Sequence, residues 1–319
     1  MLRCLLAVSL FLSWFGNCAS REETRSARLT LPENVTAILE NIYSWRLDQA
    51  ITDAQQLQSQ APNQPLGYLL EGEALWWKTW CLSAEFKYGM NMPRHREKVP
   101  GDQHYLEVSS KAFALAEASL KQQETAEMNV YAGMAEALLA RLYSLRGENR
   151  NAAKAGVRAR EHFLRALALD PSEADANFGL GLYDYYVDTL STMARVLRFF
   201  MGIPGGSKEE GIRLLQVAIR EGQLTPALAR FYLAVNLENY DQRYEQALEV
   251  ISPLVEQYPQ NPIFQLTQGD LYAKLGRNSL AARAYHAAMA AAGKNADEAE
   301  CQKKIDTLVR QSLAALGTS

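Results

Sequence analysis

Small, aliphatic and aromatic positions recur 34 residues apart toward the end of the chain. Ala247, Ile251 and Leu254 align with Ala281, Tyr285 and Ala288, Leu237 with Leu271, and Arg243 with Arg277. A self-repeat of this period predicts stacked helix pairs, each burying its apolar face only against its neighbours. No convincing alternating pattern of the kind that marks strands is found. The first pair falls in 34–62. The second starts near Leu66, runs through Trp76, Trp77 and Trp80, and resumes near Tyr105. Segments 125–146 and 151–169 form a third pair, and the fourth takes its helices from Asp175 and Ser207. Turns are expected near Arg46-Leu47-Asp48, Gly147, Asp241 and Gly276. Ser172 is the expected cap of the helix that carries Asp175 in its first turn. Ser207-Lys208-Glu209-Glu210 reads as a capping box. Thr225-Pro226 and Asn261-Pro262 open the last two pairs as cap plus first-turn proline. The helix from Asp297 to Leu316 has a charged outer face suited to covering the last repeat.

Gly269-Asp270-Leu271-Tyr272, followed by Ala281-x3-Tyr285-x2-Ala288, resembles the tetratricopeptide repeat. Ala159-x3-Phe163-x2-Ala166-x4-Pro171 matches its second half, as does Ala247-x3-Ile251-x2-Leu254-x4-Pro259 with an aliphatic residue in the aromatic place. Ala50-x3-Ala54 with Pro62 is a weaker copy. Small residues belong where two helices cross closely, and the aromatic fills the space between units. The resemblance covers most of 34–293. It implies an all-α, right-handed superhelical solenoid of about six helix pairs plus a C-terminal capping helix, and a protein-binding scaffold. The block Gly179 to Tyr186, with Arg195 to Gly206, resembles one found in a set of exported bacterial tetratricopeptide proteins of unsettled role, and more loosely in some eukaryotic relatives.

The expected organisation is a signal peptide over 1–20, a flexible tether over 21–33, the solenoid over 34–293, and a capping helix and tail over 294–319. Insertions are expected at 87–103 and 187–206. Leu5 to Phe15 is apolar but too short to span a bilayer, and Gly16 to Ser20 supplies small residues for cleavage. A mature chain beginning at Ser20 or Arg21, in the periplasm or cell envelope, is the expectation. Lipidation of Cys18, with membrane attachment, is the competing reading. After ordinary cleavage Cys81 and Cys301 are the remaining cysteines. Near opposite ends of a solenoid, they are expected as two buried thiols, because a bridge would require the superhelix to curl back. Asn34-Val35-Thr36 is a glycosylation sequon.

A net charge of −3 and a pI near 5.9 give no electrostatic case for nucleic acid. The four histidines, at 95, 104, 162 and 286, lack metal-ligand spacing, and no nucleophile motif occurs. The expectation is therefore no enzyme, no cofactor and no metal. Glu71 and Glu73 are two apart on a helix and do not face each other. Gly202 to Lys208 is read as a tight turn rather than a phosphate loop. Val187 to Ile203 is expected to form a helical insertion docked on the solenoid, since seven large apolar residues are costly in water. Trp76 and Trp80, sharing a helix face, and Tyr183 and Tyr186 are the candidate contacts for a ligand or partner, with inter-repeat packing as the plainer alternative. The functional expectation is a protein- or peptide-binding scaffold of the bacterial envelope. The alternative is a solute-binding accessory component of a transport system with an aromatic cleft, and an enzyme is third. An open groove would favour a peptide, and a closed aromatic pocket a small molecule.

Overall fold

The computed structural model describes residues 31–83, 97–190, 203–292 and 299–317, all within one compact unit. Thirteen helices and no strand occur among the described residues. They are α1 (Glu33–Tyr43), α2 (Leu47–Gln60), α3 (Leu66–Ser83), α4 (Gly101–Gln122), α5 (Ala126–Leu145), α6 (Asn149–Leu169) and α7 (Ala176–Thr189), then α8 (Lys208–Glu221), α9 (Pro226–Asn239), α10 (Tyr244–Gln257), α11 (Pro262–Lys274), α12 (Asn278–Ala292) and α13 (Ala299–Ala315). Each helix packs on the next in chain order, giving six tetratricopeptide-like pairs and a final cap.

The turns within four pairs share one device. A single left-handed residue follows the first helix: Trp45 (φ 64°), Gly147 (φ 74°), Gln242 (φ 54°) and Gly276 (φ 70°). The very next amide reaches back to a carbonyl of that helix in all four: Arg46 N–H to Asn41, Glu148 to Tyr143, Arg243 to Leu237 and Arg277 to Tyr272. Glycine adopts this conformation without a steric cost. Trp45 instead offsets it by burial, 1% exposed and edge-on to Trp77 at 6.1 Å.

The joints between helices place glycine against an aromatic ring. Phe163 of α6 lies between Gly133 of α5 and Gly179 of α7, where an added Cβ would stand 2.7 and 1.9 Å from the ring. Gly269 of α11 faces Tyr285 of α12 in the same way, at 2.7 Å. Ala159, Ala166, Ala281 and Ala288 are buried at these joints. The aromatic positions of the repeat motif are thus filled as the pattern requires.

Several local expectations are corrected. Ser172 does not cap α7; its amide and hydroxyl both turn back to Asp170, and α7 starts at Ala176. Thr225 does not cap α9, because its hydroxyl donates to Asp175. That buried carboxylate also takes the amides of Gln223, Leu224 and Thr225, so it pins the α8–α9 turn to the start of α7. Asn261 caps α11 as read, accepting from Ile263 and Phe264. Ser207 accepts from the amide of Glu210, while the Glu210 carboxylate pairs with Arg213 instead of closing the box. Helix α4 begins at Gly101, inside the expected 87–103 insertion, and α7 runs on to Thr189, inside 187–206. The expected docked helix over Val187 to Ile203 lies mostly outside the described residues, as do the signal peptide, Cys18 and most of the tether.

The largest correction concerns the cysteines. Cys81 of α3 and Cys301 of α13 form a disulfide, with Cα atoms 5.7 Å apart across a sequence separation of 220. The superhelix does curl back. Lys304 donates to the Leu82 carbonyl at the same seam, and Asn261 at the start of α11 donates to the Tyr43 carbonyl at the end of α1. Closure brings α1 and α3 against α9, α11 and α13.

Candidate functional site

Closure fills the axis with aromatic rings. Trp77 meets Phe231 at 5.1 Å and Phe264 at 5.9 Å, Trp80 meets Phe231 at 5.2 Å, and Tyr43 meets Tyr258 at 5.7 Å. These contacts join the first two pairs to the last two. They arise because inner helices α3, α9 and α11 are buried on several sides, with Trp77, Phe231 and Phe264 among their buried residues.

One cation sits in this interior. Arg141 of α5 makes a 2.6 Å ion pair with Glu73 of α3. Its guanidinium lies 5.8 Å from the Trp76 ring, 5.8 Å from Phe178 and 5.4 Å from Tyr232. Planar and weakly hydrated, a guanidinium suits such a stack. Burial works against its charge, but Glu73 and the surrounding tyrosines hold its pKa above the usual value. Burial pushes the hydroxyls of Tyr43, Tyr105, Tyr186 and Tyr232 upward, and the Arg141 charge pulls each partly back. The cation is therefore within electrostatic reach of α1, α4, α7 and α9. It donates one hydrogen bond, to Glu73, among the described residues, and its side chain keeps 13% exposure.

The sequence-predicted contacts divide around this point. Trp76 flanks Arg141 and donates from its indole nitrogen to the Tyr232 hydroxyl at 3.1 Å. Tyr186 lies in the same field, its ring against Tyr185 and Tyr240 and its hydroxyl buried without a partner. Trp80 is packed in the aromatic core, away from Arg141. Tyr183 is on another side of α7, donating to the Pro204 carbonyl with Arg160 over its ring. The structure thus sets Trp76 against Arg141, places Tyr186 with Tyr185 and Tyr240 within reach of the same charge, and leaves Trp80 and Tyr183 elsewhere. Sequence reasoning missed Arg141, Glu73 and Tyr232. The available signal was a lone arginine inside the apolar run Ala137 to Leu142, and a lone glutamate two residues past the amide-held Glu71.

Other charged groups are satisfied structurally. Glu71 accepts from Gln55, Gln58 and His104. Asp102 and Arg146 form a buried two-bond pair between α4 and the end of α5. At the turn before α8, the Lys208 amide is taken by Asp188 and its ammonium by Asp241. Among the described residues no cluster of three or more His, Cys, Asp or Glu side chains is arranged to hold a metal ion. No described helix is long and apolar enough to cross a membrane.

Stacked antiparallel helix pairs with small-against-aromatic joints define a helical-repeat protein of the tetratricopeptide kind. The family model described as RMD1-3, regulator of microtubule dynamics protein 1-3, matches residues 73–262. That is more than half of the chain, and the chain belongs to this family. Among solved structures, the chain is similar to one in the crystal structure of the APC/C hetero-tetramer Cut9–Hcn1, at 12% identity and a TM-score of 0.38. The match covers 88% of this chain and 48% of that one, so this chain spans about half its length. No curated protein matches.

Proposed function

We propose that this chain is an exported, non-catalytic repeat scaffold that binds a protein or peptide partner in the bacterial cell envelope. The observation that carries the reading is the Arg141 site. Repeat scaffolds use their inner face for recognition, and here that face concentrates one cation, three aromatic rings and several hydroxyls. Trp, Tyr and Arg are the residue types that dominate protein interfaces. The family description speaks of microtubule dynamics, which is an action on a protein assembly, and a protein partner for this chain follows the same line. The address rests on the charged start, apolar run and small residues of 1–20. A disulfide adds support, since such bonds persist in oxidising compartments.

A photo-crosslinking residue at Tyr186 tests the binding face against one at Arg213 on the exposed side of α8. Capture of a discrete envelope protein from position 186 and not from 213 is expected. Equal capture from both would sink the reading. Intact-mass measurement of envelope fractions tests the address: a chain starting at Ser20 or Arg21 is expected, and an acylated Cys18 would replace it with a lipoprotein. Closure of the axis favours, as a second reading, the solute-binding role with Arg141 as the polar anchor of an aromatic cleft. A thermal-shift screen with small anionic and zwitterionic solutes separates the two.

A further inference from the structure

We infer that the Cys81–Cys301 disulfide is a clasp that governs access to the inner face. With the bond formed, the superhelix is closed on its own axis. With the bond reduced, α13 parts from α3, the seam between the first and last pairs loosens, and the Arg141 face, where the arginine side chain is 13% exposed while the bond holds, opens further to solvent.

Four observations support this. First, the bond joins the second helix pair to the final cap, so it holds the seam itself rather than any single repeat. Second, α13 is otherwise seated mainly on α12, with Cys301, Ile305 and Val309 buried, and it reaches α3 through Lys304, which donates to the Leu82 carbonyl. Third, the seam leaves polar groups unmatched. The Trp77 indole N–H and the Tyr43 hydroxyl, whose rings face Phe264 and Tyr258 of the last two pairs, are buried without a hydrogen-bond partner. Water would satisfy each of them in an opened ring, so closure carries a polar penalty that the covalent bond offsets. Fourth, a repeat stack is held by neighbour-to-neighbour interfaces, so parting its ends leaves the pairs folded.

The chemistry is a balanced two-electron exchange. A thiolate of a dithiol reductant attacks one sulfur of the bond, forming a mixed disulfide and releasing the other cysteine as a thiolate that takes up a proton. The second thiol of the reductant then displaces the remaining cysteine, leaving two protein thiols and an oxidised reductant. Both cysteines are buried, Cys81 at 0% and Cys301 at 2% exposure, so attack awaits fraying of α13. The clasp is consequently slow to open while closed, and its state is set largely when the chain folds.

The test uses the full chain in two forms, the native protein treated with dithiothreitol and the variant Cys81→Ser/Cys301→Ser. Both should keep the far-UV helical signal of the oxidised protein. Both should lose amide protection in α13 and around Trp76 to Trp80 by about tenfold or more, as a local opening requires. Acrylamide quenching of tryptophan should rise in parallel, and reoxidation should reverse the changes in the native chain alone. These readouts concern the chain by itself, so they stand whether or not a partner is captured at position 186. Unchanged protection in a helical, reduced chain would overturn the inference by making the bond a passive staple. Loss of helical signal with the bond would overturn it too, by making the bond a condition of the fold.

Discussion

The repeat joints and the axis are packed by different rules. At the joints a glycine or alanine of one helix receives an aromatic ring of a neighbouring one, as Gly133 and Gly179 receive Phe163, and Gly269 receives Tyr285. The partners are close in sequence, and the ring meets a glycine with no side chain of its own. At the axis large residues meet across distant repeats, as Trp76 meets Tyr232 and Trp77 meets Phe264, and a largely buried charged pair lies among them. A joint is specified by size and loses stability when a side chain is too large. The axis is specified by chemistry and loses stability when a charge loses its partner.

The largest effect should come from breaking the charged pair. Arg141→Met leaves the buried Glu73 carboxylate unpaired and should cost about 3–5 kcal/mol in urea unfolding. The double variant Glu73→Leu/Arg141→Met should recover most of that loss, and a double variant as unstable as the single one would show that packing, not charge, holds the axis. At the joints, Ala288→Leu should cost roughly 1–3 kcal/mol through overpacking between α11 and α12. Gly179→Ala should fall in the same range, because its methyl would meet the Phe163 ring. An unchanged thermal midpoint in either would break the assigned register.

A pH effect is expected beside the α6–α7 turn. Burial, then the charges of Asp175 and Asp170, push the Glu173 carboxyl up to about 7 from an ordinary 4.5. A carboxyl raised on folding binds its proton more tightly in the native state. Its stabilising contribution is therefore complete below 4.5 and lost as pH rises through about 7. Glu173→Gln should flatten the stability profile over that window, as followed by the denaturant midpoint at successive pH values. The smallest effects belong to the tyrosines. Tyr183→Phe removes the bond to the Pro204 carbonyl and should cost about 1 kcal/mol, whereas Tyr186→Phe deletes a hydroxyl with no partner and should be neutral or slightly stabilising.

The sequence by itself determined the repeat. Its period, its small-and-aromatic spacing and its turn residues placed the helix pairs, because these depend on contacts between residues within one or two repeats. Gly147 and Gly276 announced their turns, and Asn261-Pro262 announced the start of α11. Trp76 and Tyr186 were legible as unusual aromatics on inner helices, but not the cation that Trp76 flanks. What only the tertiary structure decided is the closure. Asp175 looked like a first-turn acid and is a pin for a turn about 50 residues away. Cys81 and Cys301 looked like separate thiols because no local pattern sets the curvature of a stack. Curvature accumulates from small rotations at every joint, and that sum, not any one segment, brought α13 onto α3 and placed Arg141 inside the ring.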